Sequence, residues 1–172
     1  KVIKGSIKLE QDVEMKINIE KRNDTRAYHS ATHLLHESLR RVLGPHVTQK
    51  GSLVEPDRLR FDFSHMKPIS DDEMVKIESH VNDMISKQSD VTTRIMTPKE
   101  AVDNGALALF GEKYGDEVRV LSMGDEGEKY FSTELCGGTN VKNTGDIGKF
   151  KIISQSSIAA GVRRVEALRD KQ

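Results

Sequence analysis

The sequence has one cysteine, Cys136, in 172 residues. No internal disulfide can form, so the chain is expected to work in a reducing compartment. Bacterial cytosol is the expected setting, with a mitochondrial origin as the alternative. No apolar run approaches the ~20 residues of a membrane span, so no membrane role is expected. A secretory leader is missing too: "KVIKGSIKLE" has neither an apolar core nor an initiator Met. The start therefore reads as a cut into a longer protein. An excess of one charge is also absent. Lys+Arg and Asp+Glu are both 27 and the formal net charge is zero. That argues against a general nucleic-acid coat, whose affinity comes from many phosphate contacts, but it leaves room for a local basic patch. Repeats, low-complexity tracts, obvious linkers and ATP-binding motifs are all lacking.

What remains is a globular composition, 35% apolar and 31% charged, long enough for one core. The first stretch alternates: Ile7 and Leu9, then Val13, Met15, Ile17 and Ile19. Period two predicts a short hairpin around "EQD", the end of a preceding β subdomain over residues 1–22, with the main domain over 23–172. From "KRNDTRAYHSATHLLHESLRRVLGP" the period becomes helical through Ala31, Leu34, Leu35, Leu39, Val42 and Leu43. Asn23, Asp24 or Thr25 are the predicted caps, and Gly44-Pro45 the stop. "QKGSLV" and "RLRFDFS" read as strands. Capping boxes at Ser70–Glu73 and Thr97–Glu100 open two further helices. "VTTRIM", "EVRVLSM", "GKFKIISQSS" and "VRRVEAL" read as strands, and "YFSTEL" leads into the glycine turn after Cys136. The fold class is α+β: helices packed on a largely antiparallel sheet.

Three residues stand out chemically. His29 and His33 lie i, i+4 on one helix face, where both imidazoles can grip one ion. His36 follows three positions on. The spacing alone equally allows a polar helix face with chance histidines. Ser30 stands where a zincin peptidase would need Glu, so that class fits poorly. Cys136 with two His makes a soft three-donor set suited to Zn²⁺, with a fourth position left over. A small buried cysteine and a cysteine nucleophile remain open at this level.

The segments "HSATHLLHESLRRVLGPHVTQKGSLVEPDRLRFDFSH" and "ELCGGTNVKNTGDIGKFKIISQSSIAAGVRRVEAL" resemble the editing domain of alanyl-tRNA synthetase. The resemblance runs from about Arg22 to Leu168 and keeps the motifs in order. Threonyl-tRNA synthetase editing domains and freestanding alanyl-editing proteins share the metal pattern. The resemblance implies hydrolysis of the ester in tRNA(Ala) wrongly charged with Ser or Gly. It implies the other synthetase domains in cis as partners, ATP binding lying in the full-length protein. It maps zinc ligands onto His29, His33, Cys136 and position 140. That position is normally His, and here it is Asn140, whose amide oxygen is a weak neutral ligand. Two readings follow: a working three-ligand site, or a non-catalytic module for the tRNA acceptor end whose metal site has decayed. Zinc would either activate a water or hold the substrate.

The resemblance also points to Thr32, Gln49 and Gly51 as substrate contacts, with Thr32 and Gln49 matching pocket positions. A hydroxyl-binding pocket would reject the correct alanyl group. "GVRRVEA" puts Arg163 and Arg164 on opposite strand faces, so that Arg163 can serve a tRNA phosphate. A salt bridge to Glu166 is the alternative for these arginines. Lys142, Lys149 and Lys151 offer a basic patch. His65 reads as structural, and His46 and His80 as surface residues.

Overall fold

The computed structural model describes residues 3–107 and 115–170. Helix α1 spans Ile19–Leu43, and strands β1 (Gln49–Val54) and β2 (Leu59–Ser64) follow. Then come α2 (Asp71–Ser86), β3 (Thr92–Met96), α3 (Pro98–Asp103), β4 (Val118–Asp125) and β5 (Tyr130–Leu135). A 3-10 turn at Thr144–Ile147 leads to β6 (Phe150–Ala159) and β7 (Val162–Arg169). The strands form two antiparallel sheets, ordered β1-β2-β7-β6 and β3-β4-β5. The fold is α+β, as the alternating and helical periods imply, with two sheets where one was expected.

The helices form where the caps dictate. Ser70 and Thr97 each accept from the backbone N–H three residues on, and Glu73 and Glu100 return the bond, so both capping boxes are closed. Helix α1 ends at Gly44, whose φ of 122° suits glycine. Its start differs from expectation. The cap is Asn18, whose side chain accepts from the Lys21 N–H, so the helix begins about one turn before Asn23. The 22/23 boundary therefore falls inside α1. Asn23, Asp24 and Thr25 lie inside the helix, and Asn18 is the residue just before its first turn with a side chain that caps it.

The predicted N-terminal hairpin does not form: residues 3–18 contain no strand. Leu9 and Met15 are 95% and 89% exposed. An alternating strand is stable only when a sheet edge pairs with it and a core covers its apolar face. Neither is supplied by the described residues.

Helix α1 lies between the sheets and α2. Ala31, Leu34, Leu35 and Leu39 are fully buried and share a cluster with Leu59, Phe61 and Phe63 of β2 and Ile77 and Val81 of α2. At ~25 cal/mol per Å² of apolar area, each such leucine contributes about 2 kcal/mol. The C-terminal end is tied back to α1: Arg169 pairs with Asp24, donates to the Ile147 carbonyl, and lies over the Tyr28 ring. On the far face of the larger sheet, Arg164 makes a forked pair with Asp62 at 2.7 and 2.9 Å. This guanidinium therefore meets Asp62 rather than Glu166, because Asp62 is its direct cross-strand neighbour.

The Arg164 hydrogen bonds hold the Asp62 carboxyl below the usual carboxylate range. Arg164→Met would leave this carboxylate, 7% exposed, without its fork. Urea unfolding at pH 7 should show a loss of stability. The pair contributes above the unfolded carboxylate pKa of ~3.9, and its contribution is lost as pH falls through the depressed folded value. The gap between wild type and variant should therefore close in acid.

Candidate metal centre

Two elements meet at the site: the middle of α1 and the end of β5 with its following turn. Helical spacing puts His29, His33 and His36 on one face of α1. Strand spacing puts Glu134 and Cys136 on one side of the extended segment that faces them. The backbone of Cys136 is pinned by its N–H to the Arg119 carbonyl at 3.0 Å. Donor atoms of His29, His33 and Cys136 all lie within 4.8 Å of one another.

The protein sets each imidazole. His29 Nδ1 is 2.8 Å from the Thr139 carbonyl, which only accepts. Nδ1 therefore carries a proton, and Nε2 lies 3.6 Å from Cys136 Sγ. His33 Nδ1 donates to Glu134 Oε2 at 2.7 Å, and His36 Nδ1 to Glu134 Oε1 at 3.0 Å. His33 Nε2 and His36 Nε2 are buried and have no hydrogen-bond partner. A carboxylate behind an imidazole, with the other nitrogen unsatisfied, is the usual support for a metal ligand.

The charge arrangement agrees. Burial works against the Cys136 thiolate, but hydrogen bonds and charge from His29 and His33 outweigh it and bring the thiol down to about 5. Burial also opposes the charged form of His33, but Glu134 and Cys136 overcome it and raise the imidazole to about 10. Glu134 is pushed by burial in one direction and by His33 and His36 in the other, ending at about 2. The cluster holds a thiolate and an imidazolium side by side. A divalent ion held here would take the place of the imidazolium proton and keep the thiolate. Orphaned nitrogen, soft donor set and convergence together fit zinc.

The glycine turn makes the approach possible. A Cβ at Gly138 would sit 2.4 Å from His29 Cε1 and 3.0 Å from Nδ1. Asn140 does not present its oxygen to the three donors. Oδ1 accepts the Ser30 hydroxyl at 2.9 Å, and Nδ2 is 3.5 Å from Cys136 Sγ.

Beside the donors lies a cavity of about 200 Å³ that includes Thr32, Gln49, Ser52 and Phe61 in its walls. A second, of about 290 Å³, opens over Cys136, Gly137 and Gly138. Thr32 donates its hydroxyl proton to the Tyr28 carbonyl at 2.8 Å, so its oxygen faces outward as an acceptor. Gln49 borders both spaces. Gly51 is elsewhere: it is paired with Asp62, and a Cβ there would meet the Asp62 carboxylate at 3.1 Å. A register shift between Gln49 and Gly51 turns it to the opposite sheet face. Arg163 donates to Gln155 Oε1 at 2.7 Å and lines neither cavity. Lys151 pairs with Glu78. Lys142 and Lys149 are exposed, and Lys149 lines a separate surface hollow. His65 contacts His46 through Nδ1···Nε2 at 2.8 Å, with the rings stacked. Glu134, the partner of two histidines, was not singled out in the sequence. Its signal was its place two residues before Cys136, on the same strand side.

Residues 118–166 match the family described as "Threonyl and Alanyl tRNA synthetase second additional domain". The chain is 59% identical over 171 residues to alanine--tRNA ligase of Parvibaculum lavamentivorans, covering 98% of this chain and 19% of that protein. Alanine--tRNA ligase of Chelativorans sp. is 57% identical over 97% of this chain and 19% of its own length. That of Mesorhizobium japonicum is 55% identical over 98% of this chain and 20% of its own. The chain thus spans about one fifth of these relatives. No helix among the described residues is long and apolar enough to cross a membrane.

Gly138→Ala should push His29 out of line. Zinc affinity, read by chelator competition, should fall at least ~10-fold while the thermal unfolding midpoint moves little.

Proposed function

We propose that this chain is an aminoacyl-tRNA deacylase (editing) domain of an alanine--tRNA ligase. It hydrolyses the ester of tRNA(Ala) mischarged with Ser or Gly. The observation that carries this reading is the convergence of His29, His33 and Cys136 beside a small cavity, in a chain part of which matches this family. Its partners are the mischarged tRNA and the remaining synthetase domains in cis, in the cytoplasm. The exposed alternating segment before α1 packs on a preceding β subdomain of that longer protein, which supplies the sheet edge it lacks here.

His29, His33 and Cys136 hold the ion, and Glu134 keeps His33 in the tautomer that leaves Nε2 free. Zinc, when bound, supplies Lewis-acid chemistry at the ester. The chain's own residues choose the substrate. Thr32 Oγ1 spends its proton on Tyr28 and offers a lone pair to the seryl hydroxyl. Gln49 adds an amide that can donate or accept. An alanyl group leaves both groups unpaired, and that loss disfavours the correct product. No acyl-cysteine step is required, because Cys136 is committed to the ion.

Asn140 in place of histidine favours one other reading: a non-catalytic module for the tRNA acceptor end. A freestanding deacylase is a variant of the main proposal. Deacylation kinetics with metal analysis separate the readings. The editing reading expects zinc in the purified chain and faster loss of Ser-tRNA(Ala) than of Ala-tRNA(Ala). Equal slow rates without zinc would leave the binding module. Cys136→Ala should lose zinc and activity while keeping the fold by circular dichroism; wholesale unfolding would instead mark a structural cysteine. Thr32→Val should narrow the preference for seryl over alanyl substrate by about 10-fold, with zinc affinity unchanged.

A further inference from the structure

Asn140 stands where the family resemblance implies a fourth metal ligand, yet its side chain is fully engaged. Its oxygen accepts the Ser30 hydroxyl and its nitrogen points at Cys136 Sγ. The orientation is fixed from both ends. The Val141 N–H donates to Ser30 Oγ at 3.0 Å, so the hydroxyl proton of this fully buried serine is directed to the amide oxygen. A metal-bound cysteine sulfur carries no proton and only accepts. It therefore selects the NH₂ end of the amide.

We infer that Asn140 is a positioning residue: its amide N–H donates to Cys136 Sγ, and the protein supplies three metal donors, leaving the fourth coordination position without a protein ligand. This rests on the zinc reading above. Ser30 and His33 sit on successive turns of α1, so one helix carries both a ligand and the anchor of the sulfur's donor. Turning the amide over to place its oxygen on the ion would break the Ser30 bond inside the core and set the Ser30 hydroxyl proton against the NH₂. It would also leave the sulfur without its donor.

The test is spectroscopic and uses the whole 172-residue chain loaded with cobalt(II). The sulfur-to-cobalt charge-transfer band reports how strongly the sulfur is held by hydrogen bonds, and the d–d bands report ligand number. Asn140→Ala should move the charge-transfer band to lower energy and keep the d–d intensity. Its zinc affinity should fall ~10-fold, as for loss of an outer hydrogen bond. Ser30→Ala touches no donor atom and should shift the same band in the same direction by less. It keeps the test decisive if the first variant fails to fold. A charge-transfer band that stays in place in the folded variants would overturn the proposal, and a changed d–d intensity in Asn140→Ala would make the residue a ligand. A wild-type chain that gives no cobalt band would instead overturn the zinc reading itself.

Discussion

Glu134 is the group on which the site depends. A carboxylate in so closed a place carries a desolvation cost of several kcal/mol unless it is compensated. Here both oxygens are compensated, one by His33 and one by His36. The compensation fixes two imidazole rings at once and leaves both Nε2 atoms free. Because Glu134 and Cys136 are two apart, the strand that delivers the carboxylate also delivers the sulfur to the same side. Leu135, between them, turns away into the smaller cluster with Val118 and Val120. Period two thus brings a candidate donor and its support from three consecutive residues to one side.

The second requirement is closeness. The Cys136–Val141 turn lies against α1 through the Thr139 carbonyl on His29, Ser30 on Asn140 and the Val141 N–H on Ser30. Gly138 permits this, since no side chain fits between the turn and the His29 ring. The centre is therefore held together by protein contacts before any ion enters. Such preorganisation would lower the cost of binding an ion.

The larger sheet contributes the opposite wall. Residues on the helix-facing side of β1 and β2, such as Gln49, Ser52 and Phe61, close the cavity beside the donors. Asp62 and Arg164 lie on the other face and serve the sheet. One irregularity in register decides that Gln49 belongs to the first group and Gly51 to the second. Arg163 and Arg164 of β7 are likewise taken up by neighbours in the sheet.

Local sequence determined much of this. The capping boxes, the Gly44 stop, the His29–His33 spacing and the strand alternation of β2 and β7 all depend on near neighbours, so they were legible in the chain. The pairing of His29 with Cys136 became legible through family motifs, since 107 residues separate them and no local rule joins them. Only the tertiary structure decided the rest. It placed Glu134 between two histidines, turned Asn140 toward sulfur and turned Gly51 from the cavity. It also showed that the alternating residues 3–18 form no strand among the described residues. Each of these depends on what lies opposite in space: a buried charge needs partners, an amide has two ends, a bulge reverses a face, and a strand needs an edge. Those partners come from distant parts of the chain, which sequence spacing does not encode.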